Sequence, residues 1–274
     1  MSSPRQIVVS GGFDDLRARQ VRFLEEASKL GVVTVLLWPD DTVRQLAGKP
    51  PKFPLAERVY LLNAVRFVSA VIPLSAPFDS NTLPSVHGFR PQVWIDEEGP
   101  ANAIRREFCR QHRLEYQSLP ESQLGGFPAP PSSPSVPGRK KVVVTGCYDW
   151  FHSGHVRFFE EVSTYGDLYV MLGNDDNLRL LKGEGHPLFP QEERRYLVGS
   201  IKYVKQALVS SGKGWLDAEQ EIRRLKPDIY AVNEDGDKGG KREYCEKLGI
   251  QYLVLQRQPA PGLQPRTSTH LRGF

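Results

Sequence analysis

The sequence predicts an α/β chain of two tandem, doubly wound parallel-sheet domains that arose by internal duplication. Two observations predict it. Apolar, β-branched runs alternate with helical patterns through the first half, as they do in β-α-β units. The second half then repeats the first at a distance of about 135 residues, which is far longer than a solenoid repeat and therefore indicates whole domains.

The alternation begins with a strand over 6–9, a turn at Gly11-Gly12 and a helix over 21–30 that ends at Gly31. A buried strand over 32–38 and a charged segment over 40–52 follow. The later predicted elements are a helix at 55–67, a strand at 68–73, a loop at 74–90, a strand at 93–95, a helix at 101–112 and a strand at 114–116.

The two copies align over three segments. Residues 10–31 align with 145–166 at an offset of 135, and the offset becomes 136 after one inserted residue. The later matches pair 53–68 with 189–204 and 106–109 with 242–245.

A linker is expected between the copies, because residues 125–138 are rich in proline and serine. The predicted division is a degenerate first domain at 1–124, a linker at 125–139 and a second domain at 140–274.

The second copy opens with the stretch VVVTGCYDWFHSGHVRFFEEVSTYG, residues 142–166. It reads as a buried strand, a small-residue turn and a helix from about Gly154. His152 and His155 stand three residues apart where the helix begins, so they share one face. A helix N-terminus suits a phosphate, and two imidazoles beside it suit phosphoryl or nucleotidyl transfer. The alternative is that both histidines are surface residues that cap a helix.

The first copy lacks these groups. The pairs, with the second copy given first, are His152/Arg17, Gly154/Arg19, His155/Gln20 and Lys182/Ala47. The first copy therefore keeps an apolar scaffold and is expected to be catalytically inert. The alternative is a different reaction that uses Arg17, Arg19, Asp14 and Asp15.

Composition narrows the class of protein to which the chain can belong. The net charge of +4 comes without a lysine or arginine block, so no nucleic-acid partner is expected. Three cysteines form neither a disulfide framework nor a metal quartet, which indicates a reducing compartment. The N-terminus lacks the apolar region of a signal peptide and no run approaches a membrane span, so a cytoplasmic protein without membrane insertion is expected.

Four motifs together resemble the cytidylyltransferase-like branch of the HxGH nucleotidyltransferases, whose domains are Rossmann-like. They are GCYDWFHSGH (146–155), KG (182–183), PQEERRYLVGSIKYV (190–204) and RTSTHLR (266–272). The resemblance covers 140–274 and, in degenerate form, 5–120. It is strongest to ethanolamine-phosphate cytidylyltransferase, itself a tandem, and to glycerol-3-phosphate cytidylyltransferase. The resemblance to heptose-phosphate adenylyltransferases is nearly as strong.

The resemblance implies in-line attack of a substrate phosphate on the α-phosphorus of a nucleoside triphosphate, with release of pyrophosphate. His152 and His155 would contact the α-phosphate and the bridging oxygen, and Lys182 would reach a phosphate. The implied nucleotide-binding residues are Thr145, Gly146, Cys147, Gly154, Arg194, Thr267, Ser268, Thr269 and Arg272. A solvated role stays open for Lys182, Arg194 and the C-terminal segment.

Substrate-binding candidates come from two places. Asp149 and Trp150 lie beside the histidines, and Asn233, Glu234 and Asp235 follow an apolar strand at 229–232, where ligands of such sheets bind. Magnesium is expected to enter with the triphosphate, held largely by phosphate oxygens and water. No protein metal site is predicted.

The sequence favours a CTP-dependent transferase that makes a CDP-alcohol from a phosphorylated small alcohol such as ethanolamine phosphate or glycerol 3-phosphate. The alternative is an ATP-dependent adenylyltransferase acting on a sugar phosphate, and a further alternative is a non-catalytic nucleotide-binding regulator. Because single-domain relatives often pair, the inert copy is expected to act as a built-in partner in an internal pseudo-dimer. A homo-oligomer stays open.

Overall fold

A computed structural model of the chain describes residues 4–75, 77–129 and 136–271, except the side chains of Thr269 and His270. The chain divides into two compact units, residues 1–126 and 127–274, called here the first and second domains. Each contains one five-stranded parallel sheet with helices between the strands. The predicted fold class is confirmed. The predicted linker includes 130–135, which lie outside the described residues.

The first domain has the strand order β3-β2-β1-β4-β5. Its elements are β1 (Gln6–Gly11), α1 (Ala18–Ser28), β2 (Val32–Leu37), α2 (Asp40–Ala47), α3 (Leu55–Ala64), β3 (Ala70–Pro73), β4 (Val93–Glu97), α4 (Asn102–Gln111), β5 (Glu115–Leu119) and α5 (Glu121–Leu124).

The second domain has the order β10-β9-β6-β7-β8, which is the same arrangement read from the other edge. Its elements are β6 (Lys141–Gly146), α6 (Ser153–Val162), β7 (Asp167–Leu172), α7 (Asp175–Lys182), α8 (Gln191–Gly199), β8 (Val204–Val209), α9 (Glu219–Leu225), β9 (Ile229–Asn233), a 3₁₀ turn (Glu234–Gly236), α10 (Lys241–Leu248), β10 (Gln251–Leu255) and α11 (Ser268–Leu271).

Burial on both faces explains the continuous apolar strands at the centre of each sheet. Val142, Val143 and Val144 of β6 are fully buried, because helices cover both sides of a doubly wound sheet. α6 packs through Val156 and Phe159, which stand three residues apart and so share one face. The helix that carries the histidine motif is therefore fixed to the sheet along its length.

Several predicted boundaries are corrected. The helix predicted from residue 21 begins at Ala18, where the Gln20 side chain accepts from the Arg17 backbone N–H at 2.9 Å. The charged segment at 40–52 contains α2, which the sequence analysis missed. Acidic residues in its first turn and left-handed Gly48 after its end are ordinary helix boundary signals.

A buried arginine occupies the same place in both domains. Arg58 donates to the carbonyls of Phe53 and Gly12 and to Asp40, at 3.0, 2.5 and 2.6 Å. Its counterpart at the 136-residue offset is Arg194, which donates to the equivalent groups: Phe189 O at 2.9 Å, Cys147 O at 2.7 Å and Asp175 at 2.7 Å. Both side chains are fully buried. This arginine is therefore part of the scaffold that the two domains share.

Replacing either arginine with methionine should destabilise its own domain by roughly 2–4 kcal/mol, because buried carbonyls and a carboxylate lose their donor. Pulsed thiol labelling in denaturant reports each domain separately, since buried Cys109 lies in the first and buried Cys245 in the second. R58M should expose Cys109 and R194M should expose Cys245 at lower denaturant concentration. The control is R44M, which changes an exposed arginine. If Cys109 became exposed at the same denaturant concentration in R58M as in R44M, the scaffold role of Arg58 would be contradicted.

Candidate functional site

The candidate site lies at the carboxyl ends of the strands, beside β6 and β9. The chain proceeds from β6 outward to β8 and then crosses to β9 on the other side of β6, so this is the switch point of the sheet. A cavity of about 730 Å³ opens there. The predicted residues that line it are Thr145, Gly146, Cys147, Asp149, Trp150, Gly154, His155, Lys182, Asn233, Asp235 and Ser268.

The turn between β6 and α6 depends on a left-handed tyrosine. Tyr148 has a φ of 53°, and its ring lies against Gly146, where an added Cβ would come within 2.7 Å of the ring. Phe13, at a φ of 45°, lies against Gly11 in the same way in the first domain. Gly146 is therefore required by packing in the scaffold, whether or not a nucleotide also passes it.

His152 and His155 form a stacked pair at the start of α6. Their ring centroids are 3.9 Å apart with an interplanar angle of 24°. His152 is fully buried and caps the helix, since its Nδ1 accepts from the Gly154 backbone N–H at 3.1 Å. An accepting Nδ1 leaves the proton on Nε2, and that buried atom has no hydrogen-bond partner among the described residues. His155 is half-buried and lines the cavity in front of it.

Burial first, and then the nearby charges of Arg257 and Arg266, lower the pKa of His152 to about 3. The pKa of His155 is also well below its usual range, through burial first and then through His152, Arg257 and Lys182. Desolvation and neighbouring cations both disfavour the imidazolium. Both rings are therefore neutral at pH 7, and each can donate a hydrogen bond through one nitrogen.

Gly154 permits this arrangement. A Cβ at position 154 would lie 3.0 Å from both Nδ1 and Cε1 of His152, closer than side-chain atoms normally approach. The first domain has Arg19 here, where no histidine needs the space. Gly154 is therefore tied to the presence of His152.

Three cationic side chains reach the cavity from three elements. Lys182 ends α7, Lys241 begins α10 and Arg257 follows β10. Lys241 donates to the Gly236 carbonyl at 2.8 Å, and burial lowers the pKa of this lysine. Arg257 pairs with Asp235 and donates to the Arg266 carbonyl at 2.8 Å. This distribution suits a ligand that carries several negative charges.

Some predicted residues lie elsewhere. Arg194 is a correction: its guanidinium is buried and bonded to backbone carbonyls and Asp175, so it faces no ligand. Glu234 and Thr267 do not line the cavity, and Glu234 instead accepts from the Arg257 backbone N–H at 3.4 Å. The side chain of Thr269 and the whole of Arg272 lie outside the described part of the chain.

Asp149 also has a structural function. Its Oδ1 accepts from the backbone N–H groups of Leu188 and Phe189 at 2.8 and 3.0 Å. Asp14 accepts from Lys52 and Phe53 in the first domain at 2.7 and 2.9 Å. The shared bonds show that this aspartate anchors the segment before the next helix in both copies.

Sequence reasoning missed four residues that line the cavity with polar side chains, namely Tyr148, His186, Lys241 and Arg257. Two signals were available. Arg257 follows the strand β10, so the rule that selected Asn233 after β9 would have selected it too. His186 aligns with Pro50 at the 136-residue offset, so the comparison of the copies would have marked it as a difference.

The equivalent region of the first domain is filled by ion pairs. Arg17 pairs with Asp15 at 2.7 Å, and Lys52 reaches the same carboxylate at 3.1 Å. Arg19 pairs with Glu97 at 2.9 Å and with Glu121 at 2.5 Å. Both arginines are engaged by carboxylates of their own domain and no histidine pair stands beside them in its described part, which together argue against a different reaction through these arginines.

Comparisons with known proteins agree with this geometry. Residues 143–267, within the second domain, match the family described as cytidylyltransferase-like. The chain is 37% identical over 120 residues to the FAD synthase of Ferroglobus placidus, covering 43% of this chain and 75% of that protein. It is 34% identical over 119 residues to the FAD synthase of Archaeoglobus profundus, covering 42% and 73%.

A third relative is the bifunctional protein HldE of Aliarcobacter butzleri, 32% identical over 105 residues. That match covers 38% of this chain and 21% of HldE, so the chain spans about a fifth of this relative. The chain belongs to the cytidylyltransferase-like family of nucleotidyltransferases. Within the described parts of the chain, no helix is long and apolar enough to cross a membrane.

The neutral state of His152 predicts a pH-dependent stability of the second domain. As the pH falls from about 6.5 towards about 3, the unfolded imidazole takes up a proton that the folded one does not. Lower pH therefore favours the unfolded state, by about 2 kcal/mol for one such histidine between pH 7 and 5. H152N should reduce this loss while keeping an N-cap, since asparagine caps well.

The measurement is the denaturant concentration at which Cys245 becomes labelled, at pH 7, 6 and 5. H87N is the control, because His87 lies in the other domain and should leave the pH dependence of Cys245 labelling as in the wild type. Identical pH dependence in the wild type and H152N would show that the histidine is not held neutral.

Proposed function

We propose that the second domain is an ATP-dependent adenylyltransferase that acts on a phosphorylated small molecule. A phosphate oxygen of the acceptor attacks the α-phosphorus of ATP, the bond to the β-phosphate breaks, and pyrophosphate leaves. A new P–O–P link joins AMP to the acceptor. The observation that carries this proposal is the stacked histidine pair, whose neutral rings lie beside a cavity that also contains Lys182, Lys241 and Arg257.

ATP replaces the CTP that the sequence analysis favoured. FAD consists of AMP joined through a pyrophosphate link to a phosphorylated flavin, so relatives named FAD synthase favour the adenylyl alternative. The acceptor class stays a phosphorylated small molecule.

His155 has the central role in this proposal, since it reaches the cavity and His152 lies behind it. As negative charge grows on the phosphates in the transition state, a neutral imidazole N–H stabilises it by a hydrogen bond. His152 holds the His155 ring by stacking and fixes the start of α6. The polyphosphate also raises the pKa of both rings, because an anion nearby favours the imidazolium.

Magnesium enters this proposal with the nucleotide, where it would neutralise phosphate charge through phosphate oxygens and water. The carboxylates at the cavity fit that arrangement. Asp149 is engaged by backbone N–H groups and Asp235 by Arg257, so neither is assigned as a metal ligand. The chain's own contribution is to position the phosphates.

The first domain is proposed to have no transferase activity, since its corresponding positions hold Arg17 and Gln20 in place of the histidines and its cations are paired internally. Pairing of the two domains within the chain, and a cytoplasmic location, stay predictions.

The test is pyrophosphate release by the full-length protein with Mg²⁺ and either ATP or CTP, across a panel of phosphorylated flavins, sugars and alcohols. Release should require ATP and one acceptor. H155A should lower it by at least about a hundredfold, since a donor to the developing charge is lost. Q20A, the equivalent change in the first domain, should leave it unchanged.

Release with CTP alone would restore the cytidylyl alternative. Tight ATP binding without release for any acceptor would support the regulatory alternative instead.

A further inference from the structure

We propose that His186 is a ligand for the phosphate of the acceptor, positioned by Asp149. The inference rests on the proposed function, because that function requires a phosphorylated acceptor. His186 lines the same cavity as His155 and Lys182. Its Nδ1 lies 3.5 Å from Asp149 Oδ2. A carboxylate beside an imidazole nitrogen fixes the orientation of the ring and directs its other nitrogen elsewhere.

The two domains use this aspartate differently. In the first domain, Asp14 receives one backbone N–H on each oxygen, from Lys52 on Oδ2 and Phe53 on Oδ1. In the second domain, Asp149 receives both backbone N–H groups on Oδ1, and its Oδ2 is directed at His186. The anchor is therefore kept in both domains, and in the second domain it also orients an imidazole.

The loss of His186 follows the loss of the other polar cavity groups. Pro50 replaces His186 in the first domain, just as Ala47 replaces Lys182 and Gln20 replaces His155. The flanking residues are the same in both copies: a glycine with positive φ at 48 and 183, and proline followed two residues later by phenylalanine at 51–53 and 187–189. A residue with a purely structural function in this loop would be expected to persist with the scaffold.

Two glycines shape the loop that carries His186. Gly183 and Gly185 have φ values of 84° and 81°, and a Cβ at either position would meet no atom within 4 Å. These glycines therefore serve backbone conformation, not close packing. Lys182 precedes the loop and His186 ends it, so both can approach one bound anion from the same segment.

The ligand chemistry that fits is a phosphate monoester. Lys182 supplies a point charge, and the imidazole supplies a directed hydrogen bond. Trp150, which also lines the cavity, follows Asp149 in the chain and contacts Phe189 with ring centroids 6.1 Å apart. The carbon skeleton of the acceptor would therefore meet an aromatic surface beside the phosphate position.

The test measures binding without turnover. The full-length protein is saturated with Mg²⁺ and α,β-methylene-ATP, which occupies the nucleotide position and cannot transfer AMP, and inorganic phosphate is titrated by calorimetry. H186A should weaken phosphate binding by about tenfold or more, the effect of losing one hydrogen bond to a charged group. Its affinity for the ATP analogue should stay within about twofold of wild type. E184A, an exposed change in the same loop, is the matched control.

Phosphate affinity in H186A equal to wild type would overturn the proposal, as would a wild-type protein that binds no phosphate. An equal loss of phosphate and analogue affinity would also overturn it, because that pattern indicates a structural role. Failure of the proposed function gives a different result: a protein that binds phosphate through His186 and never releases pyrophosphate would keep His186 as a phosphate ligand, and would lose both the adenylyltransferase and the assignment of that phosphate to an acceptor.

Discussion

The buried guanidinium of Arg194 holds the candidate site together. It bonds to the carbonyls of Cys147, Gly173 and Phe189, which belong to the histidine turn, the end of β7 and the segment before α8. Each of these three segments would otherwise have a carbonyl without this donor, which is costly in a protein interior. Because the histidine turn is one of these segments, the position of both imidazoles depends on an arginine that does not line the cavity.

The histidine pair leaves a buried polar atom without a partner in the described part of the chain, although Nδ1 of His152 also caps α6. A buried imidazole N–H without a partner costs stability, and a neutral ring is forced by burial and by cations nearby. The described part of the first domain has the same scaffold without a buried unpaired imidazole N–H and without a ring forced to be neutral, since its equivalent positions hold Arg17 and Gln20. The paired histidines occur only in the domain whose cavity contains cations. A ligand that accepts a hydrogen bond from them would offset their cost in stability.

The sequence was sufficient for the sheets, the duplication and the histidine turn, because these depend on local periodicity and on repetition along the chain. Arg194 shows where sequence reasoning failed: its retention as Arg58 in a copy without the histidines already indicated a scaffold residue. The strand-end rule could have selected Arg257, but its place beside Asp235 depends on β10 lying next to β9, which no motif indicates. His152 was predicted to touch the nucleotide, and its position behind His155 depends on side-chain stacking that no spacing rule supplies.

Each domain has an aromatic residue in left-handed conformation, Tyr148 in one and Phe13 in the other. This residue affects how sequence identity between the two domains is interpreted. Such a conformation is unfavourable for a bulky residue, and it is paired in each copy with a glycine that only it requires. The glycine cannot gain a side chain while the ring lies against it, so packing alone is enough to keep this glycine in a domain without the histidines. Sequence identity between the halves at Gly11 and Gly146 therefore reflects the same packing requirement in each domain, and it is silent about activity.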